Sequence, residues 1–142
     1  MHKKPFDLIV FGATGFTGRL VAEYLQQRYG ADAGAGAGAG VRWAMAGRNR
    51  DKLAQVRRSI QAPDAVPLLQ ADAGDAASLA ALVKQAQVVI STVGPYQWHG
   101  EALVCACAEA GTDYVDLCGE PGWMAEMIQR HEPAIPVALA QV

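Results

Sequence analysis

An unbroken apolar run, Leu8-Ile9-Val10-Phe11, empties into three glycines spaced three apart, Gly12, Gly15 and Gly18, and few folds accept that pattern. Four apolar residues in a row read as a strand buried on both faces of a parallel sheet. Gly12 can adopt backbone angles closed to other residues at a sharp turn. Gly15 lets the main chain approach a ligand without a Cβ in between, and Gly18 permits close packing of helix on strand. A helix starting here points its unsatisfied N–H groups and positive dipole end outward, as a pyrophosphate requires. Leu20, Val21, Tyr24 and Leu25 repeat at helical spacing and predict the face this helix lays on the sheet. Glycine trios also occur in turns that bind nothing. Here the strand before and the helix after make Gly12, Ala13, Thr14, Gly15, Phe16 and Thr17 candidates for holding a dinucleotide.

The next strand exit bears on which dinucleotide. Gly30 to Gly40 is an alanine-glycine tract with almost nothing to bury, predicted as a flexible surface loop. Beyond it, Val41 to Gly47 reads as a second strand, followed by Arg48, Asn49 and Arg50. In a fold selecting NAD, an acidic residue at this exit accepts from the adenosine ribose hydroxyls. Gly47 stands there instead. A missing carboxylate removes repulsion toward a 2′-phosphate, and an adjacent guanidinium offers the planar donor fork that grips one. Arg48 and Asn49 are therefore candidate contacts and the cofactor expected is NADP(H); the plainer reading makes the arginines solvated charges at a helix start. Asp51 to Ile60 is that helix, with Leu53, Val56 and Ile60 on one face.

Val66 to Asp72 is the predicted third strand. Asp72 has two readings, an acceptor for the adenine amine or a cap on the helix Ala76 to Gln85, for which Asp75 is the better-placed cap. Gln87 to Tyr96 is the fourth strand with its glycine- and proline-broken exit. Because strand order in an open α/β sheet reverses between strands one and four, Thr92, Val93, Gly94 and Tyr96 border the binding crevice on the ribose and nicotinamide side. Tyr96 and Trp98 read equally well as packing residues. Gly100 to Ala110 is a small-residue helix capped by Gly111, and Asp113 to Pro121 a fifth strand ending in a Gly-Glu corner. A helix over Gly122 to His131 follows. Ala134 to Val142 reads as a sixth strand or as an end without a partner. The fold expected is α/β: a Rossmann-like doubly wound, mainly parallel sheet with helices on both faces.

Length and charge narrow the class. At 142 residues the chain is read as one domain spanning residues 1–142. A net charge of -2 with 18% charged residues argues against a general nucleic-acid or acidic-membrane binder. No apolar run has the length of a bilayer span and the first strand begins too early for a signal peptide, so the expected location is cytoplasmic. Cys105, Cys107 and Cys118 lack zinc spacing and read as small buried hydrophobes.

Four motifs in this order, Phe11 to Gly18, Ala46-Gly47-Arg48, Ser91 to Tyr96, and Asp113 to Leu117 with Gly119-Glu120, closely resemble the N-terminal cofactor domain of the saccharopine dehydrogenase-like oxidoreductases, a group that includes trans-acting enoyl reductases. The resemblance implies that Thr14, Gly15, Phe16 and Thr17 contact the pyrophosphate, Arg48 the 2′-phosphate, Asp72 the adenine side, and Val93, Gly94 and Tyr96 the nicotinamide side. It also implies a large second domain that closes over the nicotinamide, and this chain departs from the family in stopping before one. No tyrosine among Tyr24, Tyr29, Tyr96 and Tyr114 has a lysine four residues on, the pairing short-chain reductases use to lower a phenol's pKa. His99 and Glu120 lie near the nicotinamide corner, yet a structural histidine and a helix-capping glutamate account for them equally, and no catalytic residue is assigned. Three readings stand: the NADP(H)-binding domain of such an oxidoreductase, incomplete and inactive alone; a non-catalytic NADP-sensing module acting through a protein partner; and a small reductase borrowing its pocket from a second subunit. An exposed sheet edge where the next domain would dock makes homodimerisation an expectation as well.

Overall fold

Every described strand runs the same way. The computed structural model describes residues 3–30 and 40–131, so the predicted alanine-glycine loop lies almost wholly outside the described residues, as does the predicted sixth strand. Five strands, β1 (Phe6–Phe11), β2 (Trp43–Gly47), β3 (Leu68–Gln70), β4 (Ala86–Ser91) and β5 (Asp113–Asp116), form one parallel sheet in the order β3-β2-β1-β4-β5. The helices are α1 (Phe16–Tyr29), α2 (Arg50–Ser59), α3 (Ala76–Val83), α4 (Tyr96–His99), α5 (Glu101–Ala110) and α6 (Pro121–His131). The chain moves outward from β1 to β3, then crosses back to β4 on the other side of β1. Right-handed crossovers in opposite directions place their helices on opposite faces.

Strand periodicity divides the core accordingly. Val10, Met45 and Leu68 face α1 and α2, packing with Ala22, Leu25 and Leu53. Ile9, Phe11, Ala46 and Val89 face the other way, against Leu79 and Val83 of α3, Leu103 and Cys107 of α5, and Met127 of α6. β2 is buried along its whole length, as a near-central strand of a two-sided sheet must be.

Two predicted details change. α1 buries Gly18, Ala22 and Leu25, whereas Leu20 and Tyr24 are 49% and 59% exposed. Gly18 lies so close to the Gly12 carbonyl that this side of the helix must face the sheet, which brings Ala22 and Leu25 inward with it and turns Leu20 and Tyr24 outward. The third, fourth and fifth strands also stop earlier than expected, at Gln70, Ser91 and Asp116, and Thr92 to Pro95 is an exit loop with a cis Gly94–Pro95 bond. Cys107 is fully buried, and burial pushes its thiol up to about 12, in keeping with a small core hydrophobe; Cys105 and Cys118 are only half-buried.

β1 and β2 are also pinned at the end away from the crevice. Arg42 Nη2 lies 2.7 Å from Asp7 Oδ1, and the Arg42 backbone N–H donates to Asp7 Oδ2 at 2.9 Å. The Arg42 side-chain bond, then its backbone bond, hold the Asp7 carboxyl below its ordinary value. A carboxylate lowered by folding stabilises the native state above the unfolded carboxylate range, and that contribution is lost as pH falls through the folded value. Because the pair is partly solvated, Asp7→Asn is expected to cost at most about 1 kcal/mol at neutral pH. Urea denaturation of both proteins should show the gap closing in acid.

Candidate functional site

The carboxyl ends of β1, β2 and β4 meet at the glycine turn. Gly12 has φ +89°, in the region that favours glycine, and a Cβ there would lie 2.7 Å from both Thr92 Oγ1 and Val93 Cγ2. Its N–H and that of buried Ala13 both donate to Ala46 O on β2, at 2.9 and 3.2 Å. A Cβ on Gly18 would collide with the Gly12 carbonyl oxygen and sit 2.7 Å from Thr92 Oγ1. The Thr92 hydroxyl, donating to Phe11 O at 3.0 Å or Gly12 O at 3.1 Å, fastens β4's exit to the turn. Thr92, expected on the ribose side, therefore has its hydroxyl engaged in holding the corner.

The outer part of the turn is open. Thr14, Gly15, Phe16 and Thr17 are all exposed, Phe16 by 85%. Gly15 is the N-cap of α1 and provides no side-chain cap. Among the described residues no acceptor meets the N–H groups of Phe16, Thr17 or Gly18. A Cβ on Gly15 would meet nothing nearer than Gly12 O at 3.5 Å. Bare N–H groups at a helix start, with free approach over a glycine, make an anion cradle. The residues thus fit the pyrophosphate of a dinucleotide.

The two arginines after β2 part company. Arg50 Nη1 donates to Leu68 O at 3.2 Å and ties α2 to β3. Asn49, a candidate cofactor contact, is the N-cap of α2, with its side-chain oxygen accepting from Lys52 N–H at 3.0 Å. Of the two, Arg48 has no hydrogen bond or ion pair to its guanidinium among the described residues. Its carbonyl accepts from Gln70 Nε2 at 3.0 Å. Arg48 lines an open cleft of about 310 Å³ with Gln70, Ala71, Asp72, Asp75 and Ser78.

The two readings of Asp72 separate as well. Asp75 caps α3, accepting from Ala77 N–H at 3.1 Å and Ser78 N–H at 3.4 Å. Asp72, which lines the same cleft, has its Oδ1 accept from Gly74 N–H at 2.8 Å in a local turn and its Oδ2 without a hydrogen bond among the described residues. Gln70 and Ser78 were not singled out from sequence. Gln70 is marked only by register, since it pairs with Gly47 and so shares its row at the strand ends.

On the other side of β1, Val93 and Gly94 form the exit of β4, with Val93 Cγ2 beside the Gly12 turn, and Tyr96 follows them. Tyr96 is buried and its ring packs on Trp123 with centroids 5.8 Å apart. Its phenol donates to Ser91 O at 3.1 Å and accepts from Leu117 N–H at 3.3 Å, and burial raises its pKa. Tyr114 is likewise raised by burial and by donating to Asp116 Oδ2 at 2.6 Å. Both phenols are poor acids in these settings. Glu120 caps α4 rather than the helix that follows it: its two carboxylate oxygens accept from Tyr96 N–H at 2.9 Å and Gln97 N–H at 3.0 Å. His99 and Trp98 are exposed. No cluster of metal-ligating side chains occurs among the described residues, and no described helix is long and apolar enough to cross a membrane.

A parallel 3-2-1-4-5 sheet with a glycine corner at the strand-order reversal defines a dinucleotide-binding α/β domain. Residues 8–138 match the family model described as the saccharopine dehydrogenase NADP binding domain, and the chain belongs to that family. It is 46% identical over 120 residues to a trans-acting enoyl reductase of Mycobacterium tuberculosis, covering 83% of this chain and 26% of that protein. To a trans-acting enoyl reductase of Mycobacterium leprae it is 43% identical over 131 residues, 91% of this chain and 29% of the relative. The chain therefore spans less than a third of the length of these relatives. Saccharopine dehydrogenase (L-Glu forming) from Saccharomyces cerevisiae superposes with a TM-score of 0.65 at 19% identity, over 88% of this chain and 24% of that one. AtPrR2 with NADP+ and (+)pinoresinol superposes with a TM-score of 0.55 at 21% identity, over 100% of this chain and 48% of that one. At these identities the superpositions speak for the fold.

Proposed function

We propose that the chain is the cofactor-holding part of an NADP(H)-dependent oxidoreductase that moves hydride to or from a small carbonyl, imine or enoyl substrate, and that it does not complete that reaction by itself. The observation that carries this reading is Arg48, whose guanidinium has no partner among the described residues and lines a cleft at an exit lacking the usual acidic residue. In this assignment the open N–H groups at the start of α1 hold the pyrophosphate, Arg48 the 2′-phosphate, Asp72 Oδ2 the adenine amine, and Val93 and Gly94 the nicotinamide side. Tyr96 acts there through its backbone and packing, since its phenol is already bonded. When bound, the nicotinamide supplies the hydride chemistry. The chain's own residues bind and orient it.

Neither buried phenol is free to deliver a proton, and a substrate must still be held at near-attack distance with water excluded. The enoyl class is favoured because the relatives matched at 43% and 46% identity are named trans-acting enoyl reductases. The test is calorimetric titration of the chain with NADPH and, separately, NADH. The expected result is saturable NADPH binding, with NADH about a hundredfold weaker for want of a charge-assisted, bidentate phosphate contact. A folded chain that binds neither overturns the reading.

A further inference from the structure

The Val93-Gly94-Pro95 segment is strung between two anchors. Upstream, the Thr92 hydroxyl is bonded to the glycine turn through Phe11 O and Gly12 O. Downstream, Tyr96 is gripped twice: by its phenol, bonded to Ser91 O and Leu117 N–H, and by its backbone N–H, bonded to Glu120. Glu120 is itself held in place. Its N–H donates to Cys118 Sγ at 3.3 Å and its carbonyl accepts from Met124 N–H at 3.0 Å as α6 begins.

A cap on α4 does not explain this investment. α4 has four residues; the N–H groups of Trp98 and His99 already donate to Pro95 O at 3.2 and 3.1 Å, and exposed Gln97 can give its N–H to water, so only the N–H of buried Tyr96 calls for a protein acceptor. What a carboxylate from 24 residues away adds is a fixed position for the start of α4, and hence for the loop immediately before it. We propose that Glu120 is a positioning residue for the nicotinamide half of the cofactor, its carboxylate locking the Tyr96 and Gln97 N–H groups so that Val93 and Gly94 stand fixed over the glycine corner. This rests on the NADP(H) reading above.

Glu120→Gln tests it with little change in volume. Glutamine retains one acceptor oxygen and turns an NH₂ group toward the second N–H, so one bond is lost and two donors are opposed. Wild type and variant are titrated with NADPH and with adenosine 2′,5′-bisphosphate, which carries the 2′-phosphate half and no nicotinamide. The expected result is about a tenfold loss of NADPH affinity, from a hydrogen bond to a charged group, with the bisphosphate unchanged within about twofold, as for a distant site. Fluorescence anisotropy of bound NADPH should fall in parallel as the nicotinamide gains freedom.

Equal losses for both ligands, or no loss for either, overturn the proposal. Wild-type protein that binds neither ligand overturns the cofactor reading itself, before the variant is consulted. Should Glu120→Gln not fold, Tyr96→Phe loosens the other half of the same anchor. It is expected to give the same selective loss in smaller measure, and its absence counts equally against the proposal.

Discussion

Arg48→Ala is expected to lower NADPH affinity by about a hundredfold and to leave NADH within about twofold, erasing the preference between them. The magnitude follows from a guanidinium with no competing partner among the described residues, so its donors can all be committed to a phosphate. Hydrogen bonds between ionised groups are worth about 1.5–3 kcal/mol, and a bidentate fork sits at the upper end. Arg48→Lys should recover charge without the fork and so regain only part of the loss. Arg50→Ala separates charge from position. Arg50 is bonded to Leu68 O, so its removal should loosen α2 against β3 with little effect on the choice of cofactor. Equal losses for NADPH and NADH in Arg48→Ala would show that the side chain supports the fold and does not read the phosphate.

The glycine corner gives the other large effect, and here two substitutions of one methyl group should behave oppositely. Gly18→Ala drives a Cβ into the Gly12 carbonyl and close to Thr92 Oγ1, both held by the sheet. Overpacking against backbone that has nowhere to go costs about 3 kcal/mol, and the corner cannot keep its shape. Gly15→Ala meets only Gly12 O at 3.5 Å, at φ -77°, which alanine adopts freely. Its stability should stay within about 0.5 kcal/mol of wild type. The added methyl nevertheless stands where the ligand must come closest, so NADPH binding should fall steeply. Urea denaturation and calorimetry on the two variants, side by side, distinguish a glycine kept for packing from one kept for access.

Much of this corner was legible before any coordinates. An apolar run, evenly spaced glycines and a missing carboxylate after the second strand are local signals, and local signals survive in a one-dimensional text. The features that were not legible depend on partners far along the chain. Arg48 and Arg50 look alike in sequence, and only the pairing of β2 with β3 brings Leu68 O within reach of Arg50 and away from Arg48. Helical periodicity gave α1 a face through Leu20 and Tyr24, but the contact between Gly18 and the Gly12 carbonyl turns that face outward. Glu120 could be matched to the helix beside it; its true partners, Tyr96 and Gln97, begin a different helix, α4. Asp72 was undecided between cap and ligand because both roles begin with a carboxylate after a strand, and Asp75 takes the cap.

The placement of β1 between β2 and β4 also sets an order in time. Its first neighbour follows after one helix, but Phe11 pairs with Ser91 only when most of the domain has been made. On a ribosome, β1 to β3 can assemble while one edge of β1 stays bare, and such late, distant pairing is slow to form. The Thr92 bond to the turn, 81 residues from Phe11, comes last of all at this corner. The glycine turn and Arg48 can thus take shape with β1 to β3, whereas the Val93-Gly94 side of the corner exists only once the fourth strand is in place, so a nascent chain can present the phosphate half of the site before the other half.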